Sequence, residues 1–125
     1  MYILGDIGNS ETKVYLVNKK NTILRNITLP SKRINHKILN QKFKYLIKDY
    51  NSIKKVLFCS VVPKTFSFIK KFLKNKTKIK CHEVKDLKLS SLINIKVNFK
   101  QVGSDRLTNA ISLQNQKDNF IILDF

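Results

Sequence analysis

The stretch that decides the fold of this chain lies near its N-terminus and reads Tyr2-Ile3-Leu4-Gly5-Asp6-Ile7-Gly8-Asn9-Ser10-Glu11-Thr12-Lys13. An apolar run leads to a single carboxylate, Asp6, and a short Gly-Asn-Ser turn precedes a second, alternating run. This pattern predicts two strands joined by a tight turn. The Asp6 side chain is therefore expected at the end of the first strand, beside a turn rich in backbone N–H groups.

The turn after Asp6 has two interpretations. In the first, it binds a phosphate, because Gly8 has no Cβ and successive N–H groups can surround an anion. Asp6 would then hold a water molecule of a hydrated Mg²⁺ ion. In the second, it is a plain β-hairpin whose Gly8 and Asn9 supply positive φ angles. The pattern is short, and these residues by themselves leave both interpretations open.

The composition indicates one modest domain with a hydrophobic core. The chain has 125 residues, of which 42% are hydrophobic, and this excludes a disordered chain. Lys and Arg total 25 against 8 Asp and Glu, which gives a net charge of +17. Such a charge is typical of nucleic-acid or anionic-membrane binding, but a solvated lysine-rich surface also explains it. Because the only arginines are Arg25, Arg33 and Arg106, we do not expect a nucleic-acid partner.

The cysteines and histidines show no cluster that suggests a metal or redox site. Cys59 and Cys81 lie far apart, in strand-like runs, so buried and reduced thiols in a cytoplasmic setting are expected. His36 and His82 have no partners at ligand spacing and are expected to be structural. No apolar run approaches the ~18 residues of a membrane span. The N-terminus enters a strand directly, so we expect neither a signal peptide nor a membrane partner.

Hydrophobic periodicity predicts the element order βββαβαβαβ. The first three strands are expected to form an antiparallel meander over 2–7, 12–17 and 22–29. The later elements are predicted as a helix over 34–50, a strand over 56–62 buried on both faces, a helix from Pro63, a strand over 78–84, a helix opening at 102–106 with Ser104 as its N-cap, and a strand over 120–123. This order predicts the α/β class, with helices covering a mixed sheet.

Three motifs follow one another along the chain, namely Asp6-Ile7-Gly8-Asn9-Ser10, Gly103-Ser104-Asp105-Arg106 followed by Leu107-Thr108-Asn109-Ala110, and Ile121-Ile122-Leu123-Asp124-Phe125. They resemble the D-I-G-N-[ST], G-x-D-R-x-x-N-A and D-x-G-T motifs of the type III pantothenate kinases, a family of the acetate kinase/sugar kinase/Hsp70/actin superfamily. Ser60-Val61-Val62-Pro63 is similar to the family's S-V-V-P. The chain departs from the family in two places, because residues 95–101 lack the usual Tyr and Pro and no Gly-Thr follows Phe125.

The resemblance implies a ribonuclease-H-like half-domain, in which parallel strands extend a three-stranded antiparallel meander and helices cover the sheet. It implies a kinase that transfers the γ-phosphoryl group of ATP to pantothenate, the first step towards coenzyme A. The implied ATP-binding residues are Asp6, Ile7, Gly8, Asn9, Ser10, Glu11, Thr12 and Lys13, with Mg²⁺ held through water by Asp6. The implied pantothenate-binding residues are Gly103, Ser104, Asp105 and Arg106. Asp105 is the implied catalytic base, and Asp124 the implied ligand of a monovalent cation, K⁺ or NH₄⁺.

The resemblance also implies a two-domain enzyme with the nucleotide between its domains. We expect residues 1–118 to form the nucleotide and substrate domain, and residues 119–125 to begin a second domain that is otherwise missing. On this expectation the chain is the N-terminal half of a cytoplasmic enzyme that forms a homodimer when full length, and the 125 residues alone are inactive. Two other functions stay open, namely a non-catalytic relative that regulates or binds, and a small basic nucleic-acid-binding domain, which steeply salt-dependent DNA binding would reveal.

Overall fold

A five-stranded mixed sheet forms the centre of the protein in the computed structural model, which describes residues 1–123. The strands are β1 Tyr2–Ile7, β2 Glu11–Val17, β3 Ile23–Pro30, β4 Lys55–Ser60 and β5 Cys81–Glu83. Their order in space is β3-β2-β1-β4-β5. The β1–β2 and β2–β3 pairs are antiparallel, whereas β4 is parallel to β1 and β5 is parallel to β4. The predicted α/β fold, with a meander extended by parallel strands, is confirmed.

The helices are α1 His36–Leu46, α2 Pro63–Thr77 and α3 Ser104–Ser112, and short 3-10 turns lie at Ser31–Arg33, Tyr50–Ser52, Val84–Asp86 and Leu89–Ser91. Helix α1 is shorter than its periodicity predicted. The Asn35 side chain accepts the Ile38 N–H at 3.0 Å and starts the helix there. Helix α2 begins at Pro63, as predicted. Within residues 1–123, no helix is long and apolar enough to cross a membrane.

The two faces of the sheet are covered to different extents. The larger core lies between one face and helices α1 and α2, and its fully buried members include Ile3, Ile7, Val14, Phe43 and Leu73. A smaller core on the opposite face is built from Val84, Leu89 and Leu107, with parts of β4 packed against it. Strand β4 is therefore covered on both faces, as predicted, although its side chains on the second face are only half-buried. Strand β1 keeps an open surface on that second face.

Two predicted strand boundaries are wrong because local hydrogen bonds end the strands early. The strand predicted over 78–84 forms only at Cys81–Glu83. Lys78 adopts a left-handed φ of 58° as the C-cap of α2, and the Glu83 side chain starts the next 3-10 turn by accepting the Lys85 N–H. The strand predicted over 56–62 ends at Ser60, whose hydroxyl oxygen accepts the Val62 N–H at 3.1 Å.

The strand predicted over 120–123 is not formed. Residues 119–123 have no regular secondary structure, and Ile121 is 90% exposed. A strand needs a neighbour for its N–H and C=O groups, and within residues 1–123 the sheet ends at β3 and β5, which do not pair with this segment. The boundary between 1–118 and 119–125 stays a prediction. Asp124 and Phe125 lie outside the described residues.

We predict that Gly5→Ala destabilises the protein by overpacking its core. Gly5 and Phe58 are Cα partners on the neighbouring strands β1 and β4. A Cβ on Gly5 would overlap the Phe58 ring. The expected loss of unfolding free energy is about 1–3 kcal/mol, measured from the denaturant midpoint. Gly8→Ala is the matched control, because its Cβ would lie 3.2 Å from the Glu11 carbonyl and require a smaller adjustment. Equal stability of Gly5→Ala and the unchanged protein would show that the ring moves aside freely.

Candidate active site

Asp6 lies at the end of β1, on the face of the sheet opposite the larger core. Its Cα partners on the neighbouring strands are Lys13 of β2 and Cys59 of β4. Residues directly opposite each other on paired strands project on the same side of a sheet. An ammonium group, a carboxylate and a thiol therefore form a row across three strands. The Asp6 side chain is exposed and available to a ligand.

Cys59 links Asp6 to helix α3. Its thiol donates to Asp6 Oδ1 at 3.3 Å. Burial, followed by the negative charge and hydrogen bond of Asp6, raises the pKa of Cys59 to about 12, and the neighbouring Thr108 side chain partly offsets this rise. The charge of Asp105 also raises this pKa. The structure thus brings Asp6 and Asp105, from two separate motifs, to the surroundings of one thiol.

Sequence reasoning missed the position of Cys59 because it depends on strand order. The sequence predicted two buried, reduced thiols, and both cysteines are free, but only Cys81 is fully buried while Cys59 is half-buried. Alternation along β4 places Leu57 and Cys59 on the same face. Only the pairing of β4 with β1, in this register, shows that this face also carries Asp6.

The turn that follows β1 is closed by a hydrogen bond from the Gly8 N–H to the Glu11 carbonyl at 2.9 Å. The plain-hairpin interpretation required positive φ at Gly8 and Asn9. The predicted hairpin is formed, since β1 and β2 pair antiparallel across this turn. The positive φ angles expected at Gly8 and Asn9 are not found, because within residues 1–123 positive φ occurs only at Asn21 and Lys78. Gly8 is instead suited to its position by lack of space, since an added Cβ would lie 3.2 Å from the Glu11 carbonyl. Asn9 and Ser10 are exposed at the tip.

Two of the predicted ATP-binding side chains do not face the solvent at this turn. Ile7 and Thr12 are completely buried in the structure. The Thr12 hydroxyl lies 2.8 Å from the hydroxyl of Ser31. Ser31 is buried and also contacts the Gly8 and Ser10 carbonyls. A contact of Thr12 with a nucleotide would therefore be indirect.

The residues at the start of α3 are arranged differently from the sequence prediction. The predicted N-cap, Ser104, is the first residue of the helix; Gly103 is the N-cap and no side chain caps it. Ser104 is buried because its hydroxyl donates to the Ser60 carbonyl at 3.4 Å. Asp105 Oδ1 accepts the Arg106 N–H at 2.9 Å. A Cβ on Gly103 would overlap the Asp105 carboxylate, so the glycine permits this side-chain conformation.

Asp105 and Arg106 face different surroundings. The negative charge of Asp105 raises the pKa of Cys59. Arg106, in contrast, is exposed and lines a cavity of about 490 Å³ between α3 and residues 92–97. Apolar side chains form much of its wall, including Ile93, Ile95 and Val102. The two neighbouring residues of this motif are therefore placed in different environments.

A second cavity, of about 420 Å³, lies beside the turn. Its lining includes Asn9 of the turn, Ser31 and the lysines Lys32 and Lys64. Lys64 belongs to the first turn of α2, where unpaired backbone N–H groups add positive potential. The surroundings of the turn are therefore electropositive on this side as well.

The residues present fit a hydrated Mg²⁺ ion rather than a caged metal. Among residues 1–123, no three His, Cys, Asp or Glu side chains are grouped closely enough to hold a metal ion. Mg²⁺ commonly keeps several waters and binds through one or two carboxylates together with substrate phosphates. The exposed Asp6 carboxylate meets that requirement. The monovalent-cation ligand predicted at Asp124 lies outside the described residues.

Comparison with known proteins identifies the family. The model for type III pantothenate kinase matches residues 2–125. Over 125 residues the chain is 60% identical to the type III pantothenate kinase of Pelagibacter ubique (strain HTCC1062), covering 100% of this chain and 50% of that relative. The crystal structure of a candidate 2-dehydro-3-deoxygalactonokinase from Sinorhizobium meliloti matches 48% of this chain and 21% of that chain at 15% identity, but its TM-score of 0.38 is too low to inform fold or function.

The strand order and the helices on both faces define an α/β fold built on a mixed five-stranded sheet. The chain belongs to the type III pantothenate kinase family. It spans about half the length of the curated relative it matches.

We predict that both thiols react slowly in the folded protein. Burial is the largest cause that raises the pKa of Cys59 and Cys81 from 9.0 to about 12. At pH 8 the thiolate fraction should be about 10³-fold smaller than in the unfolded chain. Between pH 9 and pH 12 the unfolded chain loses the thiol protons while the folded protein keeps them. The free energy of unfolding should therefore fall as the pH rises through this range.

The measurement is alkylation by iodoacetamide at pH 8, followed by mass spectrometry of peptides carrying each cysteine. The same reaction in concentrated urea is the control for intrinsic reactivity. Equal rates for Cys59 in the folded and unfolded chain would contradict the protected, protonated thiol beside Asp6.

Proposed function

We propose that the full-length protein, meaning the whole open reading frame that contains these 125 residues, phosphorylates pantothenate with ATP. The observation that carries this proposal is the match to the type III pantothenate kinase family over residues 2–125. It is supported by the Cys59 thiol, which donates to Asp6 and whose pKa is also raised by the charge of Asp105. Phosphoryl transfer requires a held phosphate chain and a group that accepts the proton of the attacking hydroxyl. Asp6 with its turn suits the first requirement, and Asp105 suits the second.

The nucleotide phosphates are assigned to the turn at Gly8–Glu11 and the open face of β1 and β2. Lys13, directly across from Asp6, supplies a positive charge there. Mg²⁺, when bound, would neutralise charge on the phosphate oxygens during transfer. Asp6 would hold that hydrated ion through water. The exposure of Asp6, Asn9 and Ser10 leaves these groups accessible to the nucleotide.

Pantothenate carries its reacting hydroxyl and its carboxylate at opposite ends of the molecule. The separate surroundings of Asp105 and Arg106 suit such a substrate. Asp105 Oδ1 is occupied by the Arg106 N–H, and Oδ2 is the oxygen that we assign to the hydroxyl proton. The Arg106 guanidinium is well shaped to bind a carboxylate. The apolar walls of its cavity suit the dimethyl-substituted carbon chain between the two ends.

The remaining family properties are part of the same proposal. They are a monovalent cation, K⁺ or NH₄⁺, at Asp124, a homodimer, and a cytoplasmic location. They rest on family membership, since Asp124 lies outside the described residues and no partner chain accompanies this one.

The proposal is tested by incubating the purified full-length protein with pantothenate, ATP and Mg²⁺. Mass spectrometry should detect 4′-phosphopantothenate, and ADP should form in equal amount. ATP hydrolysis that is independent of pantothenate, or no ADP at all, would overturn the proposed function.

We predict that Asp6→Asn weakens the use of ATP and Mg²⁺. The amide keeps the size of the side chain but removes the charge that holds the hydrated ion, so the KM for Mg·ATP should rise on the order of 10–10²-fold. The matched control is Asp49→Asn. Asp49 is an exposed carboxylate that accepts the Asn51 N–H in a 3-10 turn before β4, at the opposite end of the strands from Asp6. Unchanged kinetics in Asp6→Asn would remove Asp6 from the metal-binding role.

We predict that Asp105→Asn lowers kcat on the order of 10²–10⁴-fold, with little change in ATP affinity. The amide oxygen can still accept the Arg106 N–H, so the start of α3 is preserved while basicity is lost. Arg106→Lys is the companion variant. It should raise the pantothenate KM, because an ammonium replaces a guanidinium fork. If Asp105→Asn lowered Tm but left turnover per folded molecule intact, Asp105 would be a helix-capping residue only.

A further inference from the structure

Ser31 occupies the position directly behind the turn that follows β1. Pro30 ends β3, and the chain then enters a 3-10 turn whose first residue, Ser31, is only 5% exposed. The Ser31 N–H donates to the Ser10 carbonyl at 2.9 Å. The Ser31 hydroxyl donates to the Gly8 carbonyl at 2.7 Å and lies 2.8 Å from the Thr12 hydroxyl. One residue therefore contacts the turn at three points.

The direction of each hydrogen bond follows from the available protons. The Gly8 carbonyl carries no proton, so the Ser31 hydroxyl must donate to it. The Ser31 oxygen is then left to accept, and the Thr12 hydroxyl donates to it. Thr12 and Ser31 are both buried, and this chain of donors satisfies every hydroxyl involved.

The Ser31 contacts fix the orientation of two peptide groups. In a trans peptide the C=O and the following N–H point in opposite directions, and no cis peptide occurs within the described residues. Because the Gly8 carbonyl points towards Ser31, the Asn9 N–H on the same peptide points away from it. The Ser10 carbonyl likewise points towards Ser31, whose N–H it accepts, so the Glu11 N–H on the same peptide also points away from Ser31. Within the described residues, the Asn9 N–H donates to no backbone acceptor at this turn.

We propose that Ser31 is a positioning residue, whose hydroxyl and N–H hold the turn so that its N–H groups face the phosphates of the nucleotide. The inference rests on the proposed function for the identity of the ligand, ATP. Ser31 itself need not touch ATP. Its effect is to prevent the two peptide groups from rotating, so that ATP binding does not have to order them.

The test compares Ser31→Ala with the unchanged full-length protein. Alanine keeps the N–H bond to Ser10 but removes both hydroxyl contacts. The KM for ATP should rise about 10-fold, the loss expected for one well-formed buried hydrogen bond. The pantothenate KM and kcat should change less than about twofold, because Asp105 and Arg106 are not contacted by Ser31.

Two further variants separate positioning from simple destabilisation. Thr77→Ala is the matched control, since Thr77 is also a buried hydroxyl donor, bonded to the Leu73 carbonyl at 3.0 Å in α2. It should lower Tm and leave the KM for ATP unchanged. Ser31→Thr retains the hydroxyl, and Ser31 borders a cavity with room for a methyl group, so this variant should restore the ATP KM.

A direct titration of each protein with Mg·ATP distinguishes this inference from the proposed function. If the wild type binds ATP but does not phosphorylate pantothenate, the proposed function fails, and the ATP Kd of the variants still tests Ser31. If Ser31→Ala does not fold, Ser31→Cys takes its place, because a thiol is a weak donor of similar size, and its ATP Kd should be raised. A variant with wild-type ATP affinity, or an equal loss in Thr77→Ala, would overturn the role of Ser31.

Discussion

The Phe58 ring lies across Gly5, its Cα partner on the neighbouring strand, in the space that a Gly5 side chain would fill. This close packing is possible in only one register of β1 against β4, because a slip by one residue would bring the ring against a side chain of β1. The next pair along the same two strands is Asp6 and Cys59, on the opposite face. The packing of the larger core therefore sets which thiol stands beside the site carboxylate. The contact between Cys59 and Asp6 therefore depends on this register.

Strand β4 connects the motif that contains Asp6 with the motif that contains Asp105, because it pairs with β1 and also contacts α3. Leu57 and Cys59 pack against the smaller core that contains Leu107 of α3. The Ser104 hydroxyl donates to the carbonyl of Ser60. Ser60 directly follows Cys59, whose thiol donates to Asp6. Helix α3 is thus attached to the end of β4 by both apolar and polar contacts, and the charge of Asp105 at its start raises the pKa of Cys59, the residue beside Asp6. The +17 charge of the chain adds a general attraction for anions, while these contacts provide the positions.

The sequence predicted the elements whose signal is local. Alternation gave the meander, helical spacing gave α1 and α2, and Pro63 marked the start of α2. The errors occur where a tertiary contact overrides a local preference. Ser104 has the residue type of an N-cap, but its hydroxyl is used by β4. Ser31 follows a proline and resembles any loop serine, and its contacts with the turn depend on how β3 pairs with β2. Cys59 has no local signal, since only the β1–β4 register reveals its partner. The predicted strand at 120–123 is apolar enough to pair, but neither edge strand of the described sheet, β3 or β5, pairs with it.

The hydrogen bond within the first turn of α3 does not compete with the chemical role assigned to Asp105. A carboxylate has two oxygens and about four acceptor positions. One oxygen accepts the Arg106 N–H, which fixes the plane of the group and joins it to the positive end of a helix. The other oxygen is left to accept a proton. A base held in this way needs little reorganisation when the hydroxyl arrives, and such preorganisation is what positioned proton transfer requires. The hydrogen bond from the Arg106 N–H is therefore compatible with the proposed role of Asp105 as a base, and Gly103 is the residue that leaves space for this side-chain conformation.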